Sequence, residues 1–185
     1  MTYAGIGARK TPPEILKEFE QIGEDLAREG YTLRSGHAEG ADSAFEVGCD
    51  KVNGQKEIYI PWKNFNGSKS DLIIEWNWNL NSQKAYDIAR TFHPYYENLK
   101  PFVRKLMARN SFQVLGNLKG DIPSDFVICY TEGGELKGGT AQAIRIANAY
   151  GIPVYNFGSE IGRQNFYSDK ENGMLGKKAE EEYSL

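Results

Sequence analysis

The sequence holds very little of what metal, redox or membrane chemistry requires. Its two histidines, His37 and His93, stand far apart with no cysteine or carboxylate at ligand spacing, which argues against a metal site. Its two cysteines, Cys49 and Cys129, sit in apolar settings of helical and strand type. They read as small core thiols rather than a disulfide or a catalytic pair, a usage that suits a reducing cytoplasm. No apolar run approaches the roughly 20 residues of a membrane span. The opening Met1-Thr-Tyr-Ala-Gly-Ile6 lacks the basic and long apolar regions of a signal peptide, so a cytoplasmic protein with no membrane partner is expected. A basic surplus is missing as well: 22 Lys and Arg against 25 Asp and Glu give a net charge of −3. That balance leaves no global footprint for duplex nucleic acid, although a local basic groove stays open. Low-complexity segments are absent, and nothing in the composition asks for a cofactor.

What is present suits one compact domain, because 185 residues, 40% of them hydrophobic and 12% aromatic, are enough for one substantial core and too few for two ordinary domains. The most informative stretch is Glu132-Gly-Gly-Glu-Leu-Lys-Gly-Gly-Thr-Ala-Gln-Ala143. It follows the apolar run Phe126-Val-Ile-Cys-Tyr130 and leads into a helical pattern over 141–150. Gly138 and Gly139 turn without a Cβ, and free amides at the start of a helix favour an anion. The order of strand, glycine loop and helix start therefore points to a phosphate.

The same unit occurs earlier in the chain. Residues 3–6 form a short strand that runs into Gly5-Ile-Gly-Ala-Arg-Lys10. Thr11-Pro-Pro-Glu14 then supplies a capping box, and Ile15, Leu16, Phe19, Ile22 and Leu26 keep helical spacing up to Gly30. The strand Tyr31-Thr-Leu-Arg-Ser35 is followed by the loop Gly36-His-Ala-Glu-Gly40 and a helix over 41–50. Further strands are expected at Glu57–Pro61, Phe126–Tyr130 and Ile152–Phe157. Such alternation predicts an α/β protein of three layers, with a mainly parallel sheet and helices on both faces.

Between the third and fourth strands, residues 62–120 carry a helical, aromatic-rich insertion with helices near 82–91 and 99–116. Trp62, Trp76 and Trp78 lie in it, and Phe102, Val103, Leu106 and Met107 form a stripe that reads as core packing. Its first part, 62–98, suits either a lid or a subunit interface, and a homodimer stays open. Residues 159–185, ending in Lys177-Lys-Ala-Glu-Glu-Glu-Tyr183, show little apolar periodicity and are expected as a surface tail beyond a domain spanning 1–158.

In an open parallel sheet ligands bind outside the carboxyl ends of the strands, where the strand order reverses, and the three glycine loops fall at such ends. The first offers Gly5, Gly7 and Arg9. The second offers Ser35, Gly36, Gly40 and Asp42, and the third Gly138, Gly139 and Thr140. Amides and a guanidinium suit phosphate, a hydroxyl suits a phosphate oxygen, and a carboxylate suits a sugar hydroxyl. Each loop alone reads as a tight turn between strand and helix; three together favour a nucleotide or nucleotide-derived ligand. Arg109 and Asn110, at the end of a helix opposite its apolar stripe, are placed to aim at the same pocket. His37 lies within the second loop, in reach of a ligand. Glu132 and Asp42, with Arg109, are the candidates for acid–base chemistry, Glu135 standing beside Glu132. Lys10, Arg34, Lys100, Arg104, Lys105 and Arg109 are the residues from which a basic strip for single-stranded DNA would be built.

Gly5-Ile-Gly-Ala-Arg9 and Ser35-Gly-His-Ala-Glu-Gly-Ala-Asp42 resemble the opening turn and the Ser-Gly-x-Ala-x-Gly-x-Asp segment of the SLOG superfamily, over about residues 1–158. That superfamily gathers DprA/Smf-type DNA-processing proteins, YspA/YpsA-like proteins and the Lonely Guy nucleotide hydrolases. Thr11-Pro-Pro-Glu-Ile15, Phe92-His-Pro94, Ala108-Arg-Asn110 and Gly138-Gly-Thr140 are most similar to segments of phage-encoded members, which would place the protein in a host cytoplasm. The resemblance implies a Rossmann-like fold and nucleotide or nucleic-acid ligands. The Lonely Guy members cleave the N-glycosidic bond of nucleoside monophosphates with a glutamate three residues after the motif threonine, where this chain has Ala143 after Thr140. An N-glycosidase here would draw on Glu132, Glu135 or Asp42 instead. The DprA-type members imply single-stranded DNA as the alternative partner.

Overall fold

The computed structural model describes residues 1–74, 81–120 and 122–177. Five strands, β1 (Thr2–Gly7), β2 (Thr32–Ser35), β3 (Lys56–Ile58), β4 (Phe126–Tyr130) and β5 (Val154–Asn156), form one sheet in the order β3-β2-β1-β4-β5, every neighbouring pair parallel. Alternate residues face opposite layers. Tyr3, Phe126 and Ile128 pack to one side, and Ala4, Ile6, Val127 and Cys129 to the other. All four residues Phe126–Cys129 are fully buried, which is why β4 reads as an unbroken apolar run.

One face is covered by α1 (Pro13–Arg28), α2 (Ala41–Asp50) and α6 (Glu160–Glu171), the other by α3 (Ser82–Phe92), α4 (Pro101–Leu115) and α5 (Gly138–Ala149). The chain is an α/β protein of three layers with a Rossmann-like, all-parallel sheet. The 3.6-residue stripe of α1 (Ile15, Phe19, Ile22, Leu26) enters the core, where Phe19 stacks on Phe45 at 4.4 Å between ring centres. α1 and α2 meet almost backbone to backbone. A Cβ at Gly23 would lie 2.6 Å from the Phe45 carbonyl oxygen, and one at Gly48 would collide with the Glu20 carbonyl. Two glycines in this pair of helices are thus a condition of the packing.

Three expectations are corrected. Thr11 does not cap α1: Pro12 occupies the cap position without a side-chain bond, and the Thr11 hydroxyl donates to the Ala8 carbonyl at 2.6 Å, closing the β1–α1 loop instead. In α4 the expected stripe is only part of the buried surface, Met107 lying in the core with Val103 and Leu106 packed against it. Phe102 is 51% exposed, whereas every residue from Met107 to Leu115 is buried, because that half is enclosed by β1, α3 and α5. The segment expected as a surface tail contains α6, capped by Ser159 and anchored by the fully buried Phe166 against Tyr155 and Phe157. Trp76, Trp78 and residues 178–185 lie outside the described residues. No described helix is long and apolar enough to cross a membrane.

Candidate ligand-binding site

β1 connects to β2 on one side of the sheet, while its other neighbour is β4, so the strand order reverses between β1 and β4. The β1–α1 and β4–α5 loops part there and leave a crevice. Its inner compartment, about 300 Å³, is lined by Gly7, Ala8, Arg9, Asp42, Arg109, Asn110 and Lys137 to Thr140, with Ile6, Phe65, Leu106 and Met107 as apolar walls. α5 opens into it at Gly138, whose φ of +70° suits glycine, and no side chain caps that helix start.

Arg109 is the centre of the site. It is 6% exposed; Nη1 donates to the Gly36 carbonyl at 2.8 Å and Nη2 to Asn110 Oδ1 at 3.2 Å. The buried Nε–H has no acceptor. The guanidinium carbon lies 5.8 Å from the centre of the Phe65 ring, a cation–π distance. Burial pulls its pKa below the ordinary arginine value, the nearby Arg9 adds to that fall, and only Asp42 opposes it. Arg9 is exposed and makes no hydrogen bond or ion pair among the described residues. Arg9, Arg109 and Lys137 line the inner compartment with Asp42; Lys137 is neutralised by its pair with Glu135, and the two guanidinium groups against the single Asp42 carboxylate leave a field that favours an anion.

That carboxylate is 1% exposed. It accepts the Gly7 amide at 3.2 Å, the Gly36 amide at 3.1 Å and Gln113 Nε2 at 3.3 Å, so it ties the β1–α1 loop to the β2–α2 loop. Burial pushes its pKa above the usual carboxylate range, against the pull of Arg109 and the backbone amides. Asn110 holds the third loop. Its Nδ2 donates to the Gly139 carbonyl at 3.2 Å and to Gln142 Oε1 at 3.0 Å, and Gln142 Nε2 donates to the Met107 carbonyl at 3.3 Å. A chain of buried amides and charges thus runs from α2 through α4 to α5 and fixes all three glycine loops.

Beyond Arg9 the crevice continues into an outer compartment of about 540 Å³, lined by Lys10, Tyr130, Thr131, Glu132, Gly133 and Glu135. The two compartments share Ala8, Arg9, Lys137 and Gly138 as a common wall. Lys137 is ion-paired with Glu135, which raises the lysine pKa.

Of the candidate residues, Gly7, Arg9, Asp42, Arg109, Asn110, Gly138, Gly139 and Thr140 come together on the inner compartment, and Glu132 on the outer one. Four do not line it. The Ser35 hydroxyl, expected to meet a phosphate oxygen, is buried and donates to the Gly5 carbonyl at 2.8 Å. Gly5 lies inside β1 under the Phe45 ring, Gly36 packs against the Arg109 guanidinium, and Gly40, at φ +89°, packs against the backbone of Ala8 and Arg9. These four support the loops. His37 turns away from the crevice and pairs through Nδ1 with Glu46 at 3.0 Å. Arg109 and Asn110 sit within α4, which runs on to Leu115, and do not close it. Two members of the expected basic strip are engaged elsewhere: Arg34 is buried on Glu57 and the Ile122 carbonyl, and Arg104 is turned onto the carbonyls of Glu97 and Leu99. Among the described residues no group of His, Cys, Asp and Glu side chains gathers as metal ligands.

Sequence reasoning missed Lys137, Phe65, Gln113 and Gln142. A lysine immediately before a Gly-Gly helix start was a usable signal for the first. The two glutamines show only as polar residues in otherwise apolar helical patterns, and Phe65 shows no signal, because its place depends on how the 62–67 turn folds back.

Fold and site together define a Rossmann-like α/β protein with a cationic crevice at its topological switch point. No protein-family model and no curated protein matches the chain. Among solved structures it is similar to the molybdenum cofactor carrier protein of Chlamydomonas rheinhardtii, with 14% identity and a TM-score of 0.53 over 94% of this chain and 85% of that one. A second structure of that carrier gives 14% identity and a TM-score of 0.50 over 94% and 86%. The single-stranded-DNA-binding DNA processing protein A of Helicobacter pylori gives 16% identity and a TM-score of 0.49 over 95% and 74%. Likeness at these identities is likeness of fold.

Proposed function

We propose that the chain is a nucleotide-binding protein of the SLOG type. It holds the phosphate of a nucleotide or nucleotide-derived small molecule at the start of α5, between Arg9 and Arg109. The observation that carries this reading is the buried Arg109 guanidinium: it lines the crevice and keeps one buried N–H without an acceptor, in a compartment where the Arg9 and Arg109 guanidinium groups face the single Asp42 carboxylate. A phosphate there would accept from Arg109, relieve the repulsion between the two arginines and meet the uncapped α5 amides. Asp42 and Asn110 set the loop geometry rather than touching phosphate. The fold shared with a cofactor carrier protein supports binding as the role, and the resemblance of the Ser35–Asp42 segment supports the SLOG assignment.

The test is a thermal-shift screen against nucleoside mono-, di- and triphosphates, cyclic nucleotides, ADP-ribose and a short single-stranded oligonucleotide. A ligand at a hundredfold excess over its dissociation constant raises stability by about 2.7 kcal/mol. The shift should vanish in Gly139→Val, whose new side chain grows into the crevice with only the flexible end of Met107 nearby, at 3.1 Å from a Cβ. A binding-competent Gly139→Val protein, or a shift with the oligonucleotide alone, overturns the assignment. A second reading, an N-glycosidase, rests on Glu132 facing the same crevice, since Ala143 is buried in the core and supplies no carboxylate. Chromatography of each hit for released base decides it, with Glu132→Gln expected to abolish any release.

A further inference from the structure

The Gly36 carbonyl and the Phe65 ring, which flank the Arg109 guanidinium, both lead to His37. Gly36, whose carbonyl accepts from Arg109 Nη1, immediately precedes it, and Asn66, next to Phe65, donates from Nδ2 to the His37 carbonyl at 3.1 Å. His37 is held at φ +54°, in the left-handed region that a residue with a Cβ enters only under constraint. The constraint comes from α2. Asp42 accepts the Gly36 and Ala38 amides on either side, and Glu46, one turn further along, takes the ring, its two oxygens 3.0 and 3.1 Å from Nδ1. Glu46 is buried; burial pushes its pKa up, and His37 pulls hardest against that rise. Lys56 approaches Glu46 at 3.7 Å but is itself paired with Asp50 at 2.5 Å, and Lys69 lines the cavity of about 520 Å³ that His37 borders. The ring is 29% exposed, so it exchanges its proton with solvent. An imidazolium makes a charge-assisted bond to a buried carboxylate, and a neutral imidazole makes an ordinary one. Resting on the phosphate reading above, we infer that His37 is a proton-linked positioning residue. Protonated, it locks the β2–α2 loop onto Glu46 and so sets Arg109 for an anion in the crevice; losing the proton slackens that hold. Anion binding therefore tightens as pH falls across the range in which histidines titrate, and it takes up a proton at the His37–Glu46 pair.

The experiment is titration of the full chain with inorganic sulfate, which keeps one charge state over about pH 5 to 8, beside NMR of the Arg109 Nε–H resonance across the same range. In the parent, sulfate should bind about fivefold more tightly at the acid end, the scale of a modest coupling between sites, and the Arg109 resonance should move with the His37 ring. His37→Asn keeps a side chain that tolerates the left-handed φ and should hold the affinity near its alkaline value at every pH. Glu46→Gln should flatten the profile as well, whereas His93→Asn, which removes a histidine that takes no part in the loop, should leave it unchanged. A flat parent profile overturns this inference, as does a profile that survives His37→Asn. One that survives Glu46→Gln also overturns it, since the imidazolium charge would then act on the anion through space. If sulfate binds at no pH, the phosphate reading falls, and the Arg109 resonance alone judges the positioning role. Movement with the ring in the parent and none in Glu46→Gln upholds that role, and a resonance fixed in both refutes it.

Discussion

Replacing Gly36 by alanine should move a cation of the crevice although Gly36 does not itself line that crevice. Gly36 has no left-handed φ, so alanine is tolerated by the backbone, but its Cβ would lie 2.6 Å from Arg109 Cζ and 2.7 Å from Nε and Nη1. The guanidinium must give way, and with it the 2.8 Å bond from Nη1 to the Gly36 carbonyl. Overpacking of a buried contact costs about 1–3 kcal/mol, and loss of a hydrogen bond from a charged group adds about 1.5–3 kcal/mol. At about 2–4 °C per kcal/mol for a chain of this size, the melting temperature should fall by roughly 10 °C. A phosphate that loses its bond to Arg109 should bind about 30-fold more weakly. Calorimetric melting and titration with the nucleotide found in the screen measure the two effects. Gly30→Ala is the control: its φ is +83° with nothing near the new Cβ, so it carries only backbone strain of about 1–2 kcal/mol and no loss of binding. A Gly36→Ala protein that melts and binds like the parent would show that Arg109 is not pinned by Gly36, and the argument for the site would fail.

Arg9→Ala should leave stability within about 0.5 kcal/mol, since Arg9 is exposed and unpaired among the described residues, yet weaken nucleotide binding about tenfold; urea unfolding beside titration separates the two. Asp42 carries a pH signature. Its folded pKa lies above the ordinary 3.8, so the folded state holds this proton more tightly than the unfolded chain does. Its contribution to stability is full below pH 3.8 and is lost as pH rises through the folded pKa, so the difference between parent and Asp42→Asn unfolding free energies should fall along that window and flatten above it. Cys129 is fully buried and its thiol is pushed up to about 12, and burial also raises Cys49, so a thiol reagent at pH 8 should label neither cysteine in the native protein and both in denaturant. Gly48→Ala should destabilise by about 3 kcal/mol or more, read by urea unfolding, because its Cβ meets the backbone of α1 and not a movable side chain.

Local rules carried much of the fold. The stripe Ile15–Leu26 and Gly30 bracket α1 to within a residue or so, and the apolar run Phe126–Tyr130 is β4 itself, because burial on both faces leaves no polar position to blur the signal. What escaped depends on tertiary context. α6 holds the core by Phe166 alone along its length, so twelve residues show almost no period. Thr11 and Glu14 have the spacing of a capping box, but the hydroxyl that would accept from a first-turn amide instead donates to the Ala8 carbonyl once the β1–α1 loop has closed. α4 looks amphipathic in its first half and is enclosed in its second, a change made by neighbours far away in sequence.

The site divides along the same line. That the three glycine loops fall at strand carboxyl ends follows from alternation of strand and helix, and the switch point between β1 and β4 draws the first and third together. The second reaches the crevice differently, through Asp42, whose two oxygens hold the Gly7 and Gly36 amides, and through the Gly36 carbonyl that holds Arg109. No spacing rule distinguishes a glycine that faces a ligand from one that makes room for the group that does. Gly36 and Gly139 look alike in sequence, yet a Cβ on Gly36 would strike the guanidinium, whereas one on Gly139 would meet only the end of Met107. The two substitutions should therefore fail by separate routes. Gly139→Val should lose binding at nearly unchanged stability, and Gly36→Ala should lose both together. Equal loss of stability in the two proteins would mean that the third loop, like the second, is a support and that the phosphate must be sought elsewhere along the crevice.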